Sequence, residues 1–230
     1  MVQLYTVKGA EMTGLGHGAG RVAYGVFSAL AVLIALVSLR GLVTPLSVSM
    51  DHVVHYLDDG HAAALWLHIV AGPLALILVP LQFATRLRAR WPRLHRWTGR
   101  VYVAACVAGG LGALAMLPGY QGSWFSGLGF AGLGLAWIGV TLTALVAIRQ
   151  GDVARHRVWM IRSAALTAAA ITLRLTMAPL MAAGWTVTQT YDVTAWSCWL
   201  VNLLIAELIL RRRNEKGAPQ GAFRPDWSGR

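Results

Sequence analysis

The chain has 230 residues, 57% of them hydrophobic and only 13% charged, with mean hydropathy +0.57 and a net charge of +11. A soluble domain of this length carries roughly twice that charge fraction, so the composition argues for an all-α, multi-pass membrane protein. Such a basic balance would suggest nucleic acid in a soluble protein. Here the arginines lie in loops between apolar runs, where topology and anionic headgroups account for them, and no nucleic-acid partner is expected.

Residues 1–21 are mixed and Gly-rich, with Lys8 and Arg21, and read as a cytoplasmic N-terminal arm. No small-x-small cleavage site follows an early apolar run, so no signal peptide is expected. Residues 22–210 read as a six-helix transmembrane domain, because each run approaches or exceeds the ~18 apolar residues a bilayer requires. The first span is expected over 22–39. The loop 40–60 gathers Asp51, His52, His55, Asp58 and Asp59, with Asp58-Asp59-Gly60 as the start of the next helix. The second span covers 62–83 and contains His68, Gly72 and Pro73.

The stretch 86–100 then holds six arginines, one histidine and no acid. Basic loops of this kind stay on the cytoplasmic side. The third span follows over 101–117, with Gly109, Gly110 and Gly112. An uncharged outer loop comes next, then a Gly-rich fourth span over 127–148. A second basic loop spans 149–157, the fifth helix runs over 158–181, and the sixth over 194–210. Arg211-Arg212-Arg213 closes that helix and opens a basic cytoplasmic tail over 211–230. Both termini are then cytoplasmic, with tryptophans at both interfaces. The expected location is the bacterial cytoplasmic (inner) membrane. Cys106 and Cys198 fall inside spans and read as small buried hydrophobes.

Charged groups inside a span cost about 2.5–3.5 kcal/mol each on insertion scales, which makes them the first candidates for function. Arg162 and Glu207 share a shallow depth and can pair. Arg174 lies deeper, roughly 10 Å from the outer surface at the helical rise, at the level of His68. Together they suggest a polar site opening outward, in which Arg174 holds His68 neutral, free to bind a metal or accept a proton. The alternative pairs Arg174 with Asp51, Asp58, Asp59 or Asp192.

Two histidines share an H-x-x-x-G pattern: His68 with Gly72, and His95 with Gly99. A glycine four residues on leaves space beside the imidazole, as a flat macrocycle or a close helix crossing requires. His95 and His156 begin the third and fifth helices at the same depth. Facing each other, they would suit a bis-imidazole haem, or a metal with a third ligand. Arg100 and the neighbouring arginines would hold its propionates. The outer histidines His52, His55 and His61 read as residues of a solvated loop.

The segments HIVAGPLALILVPLQF, RARWPRLHRWTGRVYV, GDVARHRVWMIRSAALTAAAITLRL and TAWSCWLVNLLIAELILRR resemble a bacterial family of predicted membrane proteins, domain of unknown function 2306, over residues 61–213. That resemblance implies an integral membrane protein and brings no catalytic residues. The chain is more loosely similar to cytochrome b561-type haem proteins. Transferred residue by residue, His95 and His156 match one histidine pair and His68 half of another. The fourth span has no histidine, which leaves the second pair incomplete.

The leading expectation is a b-type haem electron carrier, with His95 and His156 as axial ligands and a quinone or redox protein as partner. The alternatives are a small-ion or solute transporter lined by His68, Arg174, Arg162, Asn202 and Glu207, or a non-catalytic subunit of a membrane complex. Hydrolase, kinase and dehydrogenase motifs are missing.

Overall fold

A computed structural model describes residues 11–217, with side chains from Gly20 to Arg212 except Ser49 and Asp51. The sequence-derived arm over 1–10 and the tail beyond Gly217 lie outside the described residues. All the regular structure described is helical: α1 Glu11–Leu39, α2 Leu46–Ser49, α3 His55–Asp58, α4 Ala62–Phe83, α5 Thr85–Arg90, α6 Pro92–Met116, α7 Trp124–Arg149, α8 Val153–Thr167, α9 Ala169–Ala182 and α10 Val187–Gly217.

Six helical units are long and apolar enough to cross a membrane: Gly20–Leu42, Ala62–Phe83, Pro92–Gly119, Trp124–Arg149, Val153–Ala182 and Val187–Arg212. In lipid every backbone amide must be satisfied internally, which leaves the helix as the spanning form for runs of this length. The loops after α4 and α7 lie at one end of the bundle, here the arginine end. The loops after α1, α6 and α9 lie at the distal end.

α4, α6, α7 and α8 form the centre. Ala75, Leu78, Val79, Tyr102, Cys106, Trp137, Ala144, Met160 and Leu166 make one buried cluster among them. α1 packs on α4, and α10 covers α7, α8 and α9. The outward faces of α1 and α10 carry Leu33, Leu36, Leu204 and Ile205, all exposed, as lipid-facing helices require. Cys106 and Cys198 are buried and unpaired, in line with the sequence reading.

α4 and α6 cross with their backbones in close approach. A Cβ on Gly112 would stand 2.8 Å from the carbonyl oxygen of Ala64 and 2.8 Å from the amide nitrogen of His68. Only glycine fits where two helix backbones approach so closely without a hydrophobic drive between them. The Gly-rich run lies on the fourth span, whereas this backbone-to-backbone contact comes from a glycine of the third.

α1 is helical from the first described residue, Glu11, and its membrane-length part, Gly20–Leu42, lies close to the span expected over 22–39. Four sequence expectations need correction. Asp58 ends α3 instead of opening α4. Gly60 makes a left-handed turn (φ 78°), and α4 starts at Ala62 with no side-chain cap. The 40–60 loop is not simply solvated, since Leu46 and Tyr56 are buried against Leu65 in a small core of their own. The fifth span is broken at Ala168, where Ile171 and Thr172 both bond the same carbonyl. α10 begins seven residues before position 194, because Thr186 and Gln189 form a reciprocal capping box.

Candidate ligand cavity

α4 brings His68 and Gly72 into the distal half of the bundle, and α9 brings Arg174 to the same place. Both helices border a cavity of about 500 Å³, within the usual range of ligand pockets, roughly 300–1,000 Å³. Its walls are mainly apolar, with Leu65, Leu76, Met116, Phe130, Leu133 and Trp137 among them. Tyr56, Tyr120 and Tyr191 stand toward its distal mouth. The segment between α1 and α4 contributes Met50, His52, Val53, His55 and Tyr56.

His68 is held by its Nδ1, 2.8 Å from the carbonyl oxygen of Gly109. A carbonyl only accepts, so Nδ1 carries the hydrogen and Nε2 keeps its lone pair in the neutral ring. A Cβ on Gly72 would meet nothing within 4 Å, since the position opens onto the cavity. Arg174 donates from Nη1 to the carbonyl of Ala170, 3.1 Å away on its own helix. No carboxylate among the described residues pairs with it. Asp192, one of the partners weighed from sequence, is instead bonded by Ser123. The Arg174 charge reaches His68, Tyr191 and Arg40.

Below the cavity lies a hydroxyl cluster that the sequence reading missed. Trp137 donates to Thr167 at 2.9 Å. The Tyr102 hydroxyl lies 2.8 Å from both Ser163 and Thr167, and Ser163 lies 2.7 Å from Thr141. Trp137 with Thr141, and Ser163 with Thr167, are i,i+4 pairs that put polar groups on facing stripes of α7 and α8. That spacing was the available signal. Tyr191 and Tyr120 gave none, because loop-end aromatics are common at interfaces.

At the distal mouth, His55 Nε2 lies 3.2 Å from the carbonyl of Gly119, tying the α1–α4 segment to the α6–α7 loop. Burial lifts the Tyr56 phenol above its ordinary range, and neighbouring Tyr120 adds to the effect. Burial also lifts Tyr120, against a hydrogen bond it donates to Ser126.

The remaining sequence-derived residues gather at the arginine end, away from the cavity. His156 Nδ1 lies 2.8 Å from the carbonyl of Ala144, which leaves Nε2 without a hydrogen-bond partner among the described residues. His95 lies within electrostatic range of His156, and its Nδ1 is buried without a partner. The space beside Gly99 is filled: a Cβ there would stand 3.1 Å from the Gln82 amide oxygen, and Gln82 donates to Thr98 at 2.8 Å. Arg100 stacks on Trp97, 4.9 Å from the ring centre, on the exposed surface. Among the described residues no group of three or more His, Cys, Asp or Glu side chains could hold a metal ion. Arg162 and Glu207 pair bidentately at 2.6 and 3.0 Å, as their matched depth suggested.

A family model described as a predicted membrane protein (DUF2306) matches residues 65–210. The chain belongs to this family. The family's matched region includes His68, Gly72, Trp137, Arg174 and Tyr191, and leaves out the α1–α4 segment that borders the cavity. No curated protein and no solved structure matches the chain, so the cytochrome b561 likeness gains no support there.

Proposed function

We propose that this protein binds a small, largely apolar anion in the distal cavity and serves as its membrane carrier. One observation carries the reading. The Arg174 guanidinium borders the cavity, has one N–H bonded to its own helix, and faces no carboxylate among the described residues. A span arginine is costly, about 2.5–3.5 kcal/mol on insertion scales, unless something compensates its charge. A guanidinium recognises carboxylates and phosphates through paired N–H groups. The apolar walls suit the remainder of such a ligand. By the positive-inside rule the arginine end would be cytoplasmic, so the cavity would face the outside of a bacterial cytoplasmic membrane.

Octanoate and benzoate titrated into the detergent-purified protein should quench or enhance tryptophan fluorescence saturably, since Trp137 borders the cavity. Arg174→Met should weaken binding by ~tenfold or more, as charge-assisted hydrogen bonds contribute about 1.5–3 kcal/mol. Proteoliposomes of the wild type should exchange a labelled probe, and those of the variant should not. Absence of saturable binding, or equal binding by Arg174→Met, overturns the proposal.

A second reading keeps His95 and His156 as ligands of a b-type haem that exchanges electrons with a quinone or a redox protein. In its favour, His156 is oriented by Ala144 with Nε2 spare, and His95 Nδ1 is buried and unpartnered beside it. Against it, Gln82 takes up the space beside Gly99 that a macrocycle would use. Bound, the haem would supply one-electron chemistry, and the chain would orient it through the two imidazoles. An optical spectrum after expression with excess haem decides the matter. Haem bands that are lost in both His95→Ala and His156→Ala support this reading, and a featureless spectrum removes it.

A further inference from the structure

An anion held by Arg174 leaves a second cavity group unused. His68 spends Nδ1–H on the Gly109 carbonyl, and no protein group among the described residues bonds its Nε2. The Gly109 bond fixes the tautomer, because the carbonyl cannot donate. At neutral pH an imidazole is mostly uncharged, so Nε2 is a lone-pair acceptor. The ring borders the cavity with Arg174, close enough for the arginine's charge to act on it. The cavity has no acidic side chain among its described lining residues. Of its six hydroxyl side chains three are engaged elsewhere, Ser38 donating to the Ile34 carbonyl, Tyr120 to Ser126 and Thr167 to the Ser163 carbonyl, while Tyr56, Thr188 and Tyr191 also line the chamber. His68 Nε2 is therefore a fixed, unengaged base in a mostly apolar chamber that also holds a cation.

We infer that the ligand carries, besides its anionic group, a hydroxyl or N–H that donates to Nε2 of His68, which makes it a hydroxy acid or phenolic acid in preference to a simple fatty acid. The inference rests on the anion reading above. Its physical basis is asymmetric. A ligand without the donor leaves Nε2 desolvated and unpaired, and buried unpaired groups carry the full cost of lost hydration. Sites that hydrogen-bond a substrate hydroxyl reject the analogue lacking it far more strongly than apolar pockets reject a size change. The engagement of Nδ1 with a backbone carbonyl also holds the ring in place, so the acceptor direction is preset. The Gly72 opening beside the ring leaves room for the donor to approach.

The test compares four probes on the full-length protein in detergent: benzoate, 3-hydroxybenzoate, 4-hydroxybenzoate and 4-methoxybenzoate. One of the two hydroxybenzoates should bind roughly tenfold tighter than benzoate, the size of one paired hydrogen bond. The methoxy probe, similar in size and without a donor, should lose that advantage. In His68→Phe the gap between hydroxylated and methoxylated probes should close, and in Arg174→Met all four should weaken together. The wild-type comparison stands even where a variant fails to fold. Equal affinity of the wild type for hydroxylated and plain probes overturns this inference and leaves the anion site standing. Failure of all four to bind overturns both.

Discussion

Gly112→Ala and Gly72→Ala make the same chemical change on neighbouring helices and should have opposite effects. Alanine is favoured over glycine in a helix interior by about 0.5–1 kcal/mol. At Gly72 nothing lies within 4 Å of the new methyl, so that gain is realised in full. At Gly112 the methyl would sit 2.8 Å from the Ala64 carbonyl oxygen and 2.8 Å from the His68 amide nitrogen. Both are backbone atoms, unable to swing aside, so α4 and α6 must separate. Overpacking of this kind costs about 1–3 kcal/mol, and the rigid neighbours argue for the upper end. The two variants should therefore differ by about 3 kcal/mol, a gain of ~1 against a net loss of ~2. At about 2–4 °C per kcal/mol for a chain of this size, their melting temperatures should lie roughly 6–12 °C apart. Cys106 and Cys198 are free and buried, so a thiol-reactive dye reports the loss of packing directly on heating in detergent. Gly112→Ala melting at or above Gly72→Ala would refute the account of the α4–α6 crossing.

Two further outcomes follow from the same contacts. Arg162→Met alone leaves Glu207 without its bidentate partner, with only the Arg211 charge acting on it, and should lower the melting temperature, whereas the double variant Arg162→Met/Glu207→Leu should recover most of that loss. A double-mutant cycle by thermal melting measures the coupling, and additive effects would show that the bidentate pair contributes nothing. Tyr56 and Tyr120 have folded-state pKa values raised above the ordinary tyrosine value, chiefly by burial. Their contribution to stability is complete below the unfolded pKa near 10 and is lost as pH rises through the higher folded values. Ultraviolet titration should lose one late-ionising phenol in each of Tyr56→Phe and Tyr120→Phe, while in the wild type the distal segment loosens over that alkaline range. Ordinary titration of both would contradict their burial.

Much of the architecture was legible in the sequence because the bilayer reduces folding to a one-dimensional problem. Apolar length defines the spans, and depth along a helix is counted at a fixed rise per residue. That counting put Arg162 level with Glu207, and Arg174 level with His68. The structure joins the first pair by a bidentate ion pair and sets the second pair around one cavity. Depth says nothing about rotation around the helix axis, which only packing decides. It could not show that Gly72 opens onto space while Gly99 is filled by Gln82, although both follow a histidine by four residues. Nor could it show that Asp192 is engaged with Ser123 and leaves Arg174 unpaired. The short α2 and α3 carry too few residues for a periodic signal, and Tyr56 is buried by Leu65 from α4, with Met116 of α6 packed against the same cluster. Hydropathy and charge, which are properties of each residue, determined the spans and their order. The cavity and its polar groups are properties of facing surfaces, and the tertiary contacts among α4, α6, α7 and α9 decided them.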